Sequence, residues 1–165
     1  MTRRRWWVGM VGILMLAGTL GSCSGGGSSG GRHDGGVDDS VVCLLFGERE
    51  PNATPLTAQF LGDMFFDDCF IVDGSLFDVA DVDSYRVLIQ ESLTLVVSLD
   101  HSLLVDFDIQ LFDADTGQLI LDCGISVVPE VCVVPFVVFS RDIAVDVVVT
   151  SFIGAGTYTL TLTAE

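Results

Sequence analysis

The chain has 165 residues, half of them hydrophobic, and carries 23 acidic side chains against seven arginines and no lysine, for a formal charge of −16. A field of that sign repels nucleic acid and anionic lipid, which excludes phosphate-reading functions and leaves cations and cationic partners as what the chain attracts. The length suits one domain with a single core.

The N-terminal stretch has the three parts of an export signal in order. Arg3, Arg4 and Arg5 form a charged start, residues 8–20 an apolar run, and Leu20-Gly21-Ser22-Cys23 a cleavage site with small residues before a cysteine. The tetrapeptide resembles the bacterial lipobox, which implies cleavage after Ser22 and lipid on Cys23, with residues 1–22 as a lipoprotein signal peptide. Glycines at 9, 12, 18 and 21 break the apolar run, which is too short for a transmembrane helix. Ser24, rather than an aspartate, follows the cysteine, and in lipoproteins of double-membraned bacteria this implies passage to the outer membrane. The Arg-rich start fits general export and also looks like a twin-arginine signal. Cleavage would remove three cations and no acid, leaving four arginines against 23 acids, a formal charge of −19.

Residues 23–40 read as a lipidated cysteine followed by a Gly- and Ser-rich tether that lets the domain stand off a membrane. From residue 41 the composition turns to Val, Leu, Ile and Phe punctuated by Asp. Here the hydrophobic period is two. Leu93-Thr94-Leu95-Val96-Val97-Ser98-Leu99 places its apolar residues at odd positions, and Tyr158, Leu160 and Leu162 alternate with threonines. Further strands are expected at 41–46, 69–76, 85–89, 105–112, 118–122, 133–139 and 143–150. Turn signals at Asp73-Gly74, Asp115-Thr116-Gly117 and Gly154-Ala155-Gly156 punctuate them, and a short helix is expected at 57–64. This pattern predicts an all-β, antiparallel, jelly-roll-like β-sandwich of about eight strands spanning 41–165.

Beyond Cys23, four cysteines remain: Cys43, Cys69, Cys123 and Cys132. An even count behind an export signal favours disulfides over metal ligation, and the chain has no Cys-x-x-Cys pair. Of three connectivities, Cys43–Cys69 with Cys123–Cys132 is preferred because each closes a local loop, for about 3 kcal/mol apiece. Catalytic constellations are poor. Asp115-Thr116-Gly117 occurs once, whereas aspartic-protease chemistry needs two such loops, and the triplet is also an ordinary hairpin turn. His101, in Asp100-His101-Ser102, reads as a turn residue rather than a positioned base. Phe65, Phe66, Phe70, Phe77, Phe136 and Phe139 could build a binding face, yet Phe in a Val-rich sandwich is usually core. Tyr85 and Tyr158 fall at core positions of their strands. The chain reads as a non-enzyme.

Four segments stand in an order that resembles the bacterial pre-peptidase C-terminal domain family. Glu48-Arg49-Glu50-Pro51-Asn52-Ala53-Thr54 resembles its opening segment. Gly74-Ser75-Leu76-Phe77 leading to Asp81-Val82-Asp83-Ser84-Tyr85 resembles its central signature. Asp108 to Gly117 looks like the strand and turn that follow, and Gly156-Thr157-Tyr158-Thr159-Leu160 like the closing strand. The family is similar to the collagen-binding domains of bacterial collagenases and is usually appended to secreted enzymes. The resemblance implies a jelly-roll-like sandwich with a non-catalytic role: a membrane-anchored, extracytoplasmic module binding a surface polymer or protein partner. The alternative it implies is an export or folding accessory acting in trans for a secreted hydrolase, since no peptidase precedes the domain. It further implies a calcium ion held by Glu48, Glu50 and Asn52 with Asp81 and Asp78 or Asp83. Ala53 stands where the family pattern has an aspartate, so one ligand is missing from that set.

Overall fold

The computed structural model describes residues 42–124, 128–138 and 141–165, all within one compact unit, Asp38–Glu165. The expected signal peptide, the lipidation site at Cys23, the tether and Phe139 lie outside the described residues. Ten strands follow in order: β1 Leu44–Gly47, β2 Gln59–Met64, β3 Cys69–Leu76, β4 Val82–Ile89, β5 Leu93–His101, β6 Asp106–Asp113, β7 Leu119–Asp122, β8 Glu130–Phe136, β9 Ile143–Ile153 and β10 Gly156–Ala164. They form two five-stranded sheets, β1-β3-β10-β5-β8 and β2-β4-β9-β6-β7. The alternation in the sequence is what packs them: Leu93, Leu95, Val97 and Leu99 from one sheet meet Val145, Val147 and Val149 from the other, all buried.

The expected sandwich stands, with four corrections. The described residues form ten strands rather than about eight, and the sandwich is not wholly antiparallel: β1 runs parallel to β3, and β2 parallel to β4, each at a sheet edge. Side-chain alternation is the same in either direction, so periodicity cannot distinguish them. The segment expected as a helix forms β2. Leu61 and Met64 are both buried, and their spacing of three imitates a helical face. It arises from a register shift between Phe60 and Gly62, where Gly62 adopts a φ of 145° that a helix cannot hold. Asp73-Gly74 is not a turn but lies inside β3, where Gly74 pairs with Tyr158. A Cβ at Gly74 would fall 2.4 Å from the Tyr158 ring, so the glycine marks a close approach and not a reversal.

The preferred disulfide pairing is the one observed. Cys43–Cys69 ties the start of β1 to β3 within one sheet. Cys123–Cys132 joins the residue after β7 to β8, and so links the free edges of the two sheets. Replacing Cys123 and Cys132 together by Ser should cost about 2–3 kcal/mol, read as a lower urea midpoint, because the unfolded chain regains the freedom of that loop. A midpoint equal to the parent's would show that the cross-link adds nothing to the packed edges.

Candidate functional site

The loop after β1 leaves one sheet and enters the other, and it is bonded to both as it crosses. Glu48 N donates to Asp73 O at 3.0 Å, and Glu48 Oε2 accepts from Ser75 N at 2.7 Å, both on β3. Farther along, Ser84 N on β4 donates to Asn52 O at 3.0 Å, and Arg86 Nη2 donates to Pro55 O at 2.9 Å. The crossing brings Glu48, Glu50 and Asp83 together, with a carboxylate oxygen from each lying within 4.8 Å of the others. Asn52, fully buried, completes the group. One end of its side-chain amide lies 2.9 and 3.3 Å from the Glu50 oxygens and 3.0 Å from Asp83 Oδ1. Presenting nitrogen, that end donates to both carboxylates; presenting oxygen, it adds a further oxygen to the cluster.

Asp83 points inward from β4, and two tyrosines support it from opposite sheets. Tyr158 O–H donates to Asp83 Oδ2, and the Tyr85 hydroxyl lies 2.6 Å from that of Tyr158. Both phenols are buried, and burial first, then the neighbouring acids or hydroxyls, pushes them above their ordinary range, so they remain protonated donors. Phe107 holds the Tyr158 ring edge-on at 6.2 Å, with Gly74 beneath it. Thus Gly74, Asp83, Tyr85 and Tyr158, drawn from the segments that carry the family resemblance, meet in one network.

The corner is electrostatically unfavourable for carboxylates alone. Burial, with the charges of Glu48 and Asp81, lifts the Asp83 carboxyl to about 7. Burial is also the largest influence on Glu48, which is raised from its ordinary value. Glu48 Oε1 is buried without a hydrogen-bond partner. Several acids held this close favour either a shared proton or a cation.

Of the six expected ligands, four converge: Glu48, Glu50, Asn52 and Asp83. Asp78 and Asp81 instead organise the β3–β4 turn. Asp78 Oδ1 accepts from Ala80 N at 2.7 Å, and Asp81 Oδ2 accepts from Phe77 N at 2.7 Å, though Asp81 stays close enough to raise Asp83 electrostatically. Asp115 sits in the β6–β7 turn and pairs with Arg141 at 2.9 Å. His101 ends β5 rather than lying in the turn; its ring rests against Phe107 and its Nδ1 lies 3.0 Å from Ser102 O. Phe70 and Phe136 are core, whereas Phe65, Phe66 and Phe77 are exposed. Sequence reasoning missed the buried Glu130, whose Oε2 accepts from Ile109 N at 3.0 Å, and the Arg86–Asp146 pair, since an acid in an alternating strand reads as solvated.

The fold and this corner define an all-β sandwich module with an oxygen-rich cluster where the loop after β1 crosses from one sheet to the other. No protein-family model matches the sequence, and no curated protein does. Among solved structures the chain is similar to the pre-peptidase C-terminal domain of a Bacillus anthracis collagenase, at 14% identity and a TM-score of 0.50, over 72% of this chain and all of that one. It is also similar to PliG of Aeromonas hydrophila, a periplasmic inhibitor of g-type lysozyme, at 11% identity and a TM-score of 0.49, over 66% of this chain and 97% of that one. The likeness to the collagenase domain gives this chain the pre-peptidase C-terminal domain fold, the fold that its sequence resemblance implies.

Proposed function

We propose that this protein is a non-catalytic, lipid-anchored, extracytoplasmic module that uses calcium to lock its β1–β2 loop and binds a polymer or protein partner at the cell surface. The observation that carries the reading is the convergence of Glu48, Glu50, Asn52 and Asp83 on one point between the sheets. The donor set fits the ion. Carboxylates and an amide oxygen are what a hard cation takes, and the orphaned Glu48 Oε1 gives it a ligand with no competing bond. A bound ion would neutralise the acids and hold the crossing loop to β4; the residues themselves orient that loop through Ser75, Ser84 and Arg86. The two disulfides support an oxidising compartment, and the lipobox-like Leu20-Gly21-Ser22-Cys23 supports anchoring.

Fractionation of producing cells tests the anchor. The full chain should partition with membranes and carry lipid on Cys23, while Cys23→Ala should move to the soluble envelope fraction. Wild-type protein that is soluble and unlipidated overturns that part. The binding role is tested with the detergent-solubilised chain on immobilised envelope material. Retention in calcium and release by chelator are expected, and passage without retention in either condition rejects it.

A further inference from the structure

The end of the sandwich opposite Cys43 carries an apolar tip that the carboxylate corner does not include. Tyr158 pairs with His101 at that end, whereas Thr163 pairs with Cys69 at the end where the chain enters the domain. Leu103 and Leu104, at the corner of the β5–β6 turn, are 86% and 88% exposed; next to them Ile153 is more than half exposed, and its neighbour Phe152 is 70% exposed. Both loops are held in fixed conformations. Val105 N donates to Ser102 O at 3.1 Å, Leu104 N donates to Ser102 Oγ at 3.3 Å, and Ser151 Oγ donates to Gly154 O at 2.8 Å. Gly154 has a φ of 89°, and a Cβ there would fall 2.9 Å from Val105 Cγ1, so the β9–β10 hairpin seats directly on the β5–β6 turn. Turn corners ordinarily carry small polar residues; leucines held out there gain nothing from solvent, and contiguous exposed apolar side chains mark an interaction surface.

Carboxylates border this tip and decide what it can meet. Asp106 pairs with Ile153 and stands between two adjoining recesses. One, of about 270 Å³, includes Leu103, Leu104 and Ile153 in its lining; the other, of about 340 Å³, includes Asp108, Asp122 and Phe152. Burial, then the charges of Asp106 and Asp122, raise the Asp108 carboxyl above its ordinary value. Among the described residues the ion pairs are Arg86–Asp146 and Arg141–Asp115, so no arginine offsets these three acids. A second copy of the chain would bring the same acids to the interface, and anionic lipid would meet the field of a chain at −16. A neutral bilayer would take the leucines, yet it would desolvate Asp106 beside them without a fixed counter-charge. A cationic protein surface suits both halves: its Lys and Arg relieve the repulsion in the acidic recess while its apolar side chains cover the leucines and Phe152.

We propose that this tip is the docking surface for a basic protein, with Leu103, Leu104 and Phe152 as apolar anchors and Asp106, Asp108 and Asp122 receiving the partner's cationic side chains. The inference rests on the reading of the chain as a partner-binding module, and it supplies the chemistry of that partner and the face it meets. None of these residues belongs to the carboxylate cluster at the β1–β2 crossing, so they can be varied with calcium held constant.

The test places the photo-cross-linking residue p-benzoylphenylalanine at Leu104, at Phe152 and, as a control, at Phe66, which is exposed in the β2–β3 turn at the other end of the sandwich. The full chain is produced in its native host and irradiated in millimolar calcium. Leu104 and Phe152, but not Phe66, should become joined to one and the same protein, whose sequence, read by mass spectrometry, carries a net positive charge. With that protein purified, Leu104→Ser and Phe152→Ser should each weaken binding about tenfold or more at an unchanged melting temperature. Asp106→Asn together with Asp108→Asn should weaken binding and flatten its salt dependence while the melting temperature holds or rises. Adducts with lipid, with a second copy of the chain or with an acidic protein overturn the proposal. So do an adduct missing from either tip position, an equal adduct from Phe66, and full binding by the serine variants. The parent and Leu104→Ser retained alike on immobilised envelope material would overturn the tip and leave the partner-binding reading standing; a parent that is not retained overturns that reading and the tip with it.

Discussion

Calcium added to the metal-free protein at a hundred times its dissociation constant should raise stability by about 2.7 kcal/mol, a rise of about 10 °C in melting temperature for a domain of this length. The physical source is the crowding of Glu48, Glu50 and Asp83, whose oxygens lie within 4.8 Å of one another while Asp83 is fully buried. The pH dependence follows with a definite sign. In the unfolded chain Asp83 loses its proton near its ordinary 3.8; in the folded state it keeps it to about 7. Between those values the folded state binds more protons, so the metal-free domain loses stability as pH rises from about 4 through 7. A cation takes the place of that proton. The calcium-induced shift should therefore be larger at pH 8 than at pH 5.

Variants separate this account from non-specific screening of a −16 chain. Asp83→Asn should flatten the pH dependence of the metal-free domain and remove most of the calcium shift, and Glu50→Gln should reduce the shift without flattening the profile. Asp81→Asn should weaken it only modestly, because that carboxylate acts on Asp83 at a distance while its oxygens bond Phe77 N and Val82 N. A melting temperature indifferent to millimolar calcium, or a shift that magnesium and high sodium reproduce in full, would reject the site.

Gly74→Ala is expected to be the most damaging small substitution in the domain, at about 2–4 kcal/mol. The new Cβ would lie 2.4, 2.5 and 2.8 Å from three atoms of Tyr158, all at the hydroxyl end of its ring. That ring cannot step aside freely. Phe107 packs against it, and its hydroxyl must stay on Asp83 and within 2.6 Å of the Tyr85 hydroxyl. Moving it leaves a buried carboxylate without its donor, which adds to the cost of overpacking. Urea denaturation should show a lower midpoint with an unchanged slope. In a Tyr158→Leu background, where the clashing atoms are gone, Gly74→Ala should cost little, and this non-additivity is the diagnostic. If the two substitutions destabilise additively, the ring and the glycine are not coupled as drawn.

Much of this architecture was legible in the sequence because it depends on local period and on chemistry within a few residues. Alternation in 93–99 and 157–163 required strands with one buried face, and the hydrophobic load of the odd positions required a second sheet to cover it. Cysteine spacing favoured the observed pairing. The opening Glu48-x-Glu50-x-Asn52 segment and the Asp83-x-Tyr85 strand were identifiable as one site only through the family resemblance, since 30 residues and a change of sheet separate them.

Only the tertiary structure decided the rest, and the reasons are physical. Strand direction leaves no mark on alternation, so the parallel edges β1 and β2 could not be read from it. A bulge at Gly62 converted a period of two into a spacing of three and imitated a helix. A glycine reads as a turn until the ring it accommodates is known, and Tyr158 lies 84 positions from Gly74 in sequence but opposite it in the sheet. Outward-facing Ser84, Asp146 and Val148 have the pattern of solvated residues. The crossing loop covers them, because Arg86 bonds its backbone at Pro55 and Ser84 bonds it at Asn52. Which acids gather at the corner was settled in the same way: Asp83 faces the interior and meets the loop, while Asp78 and Asp81, a few residues earlier, bond the amides of their own turn.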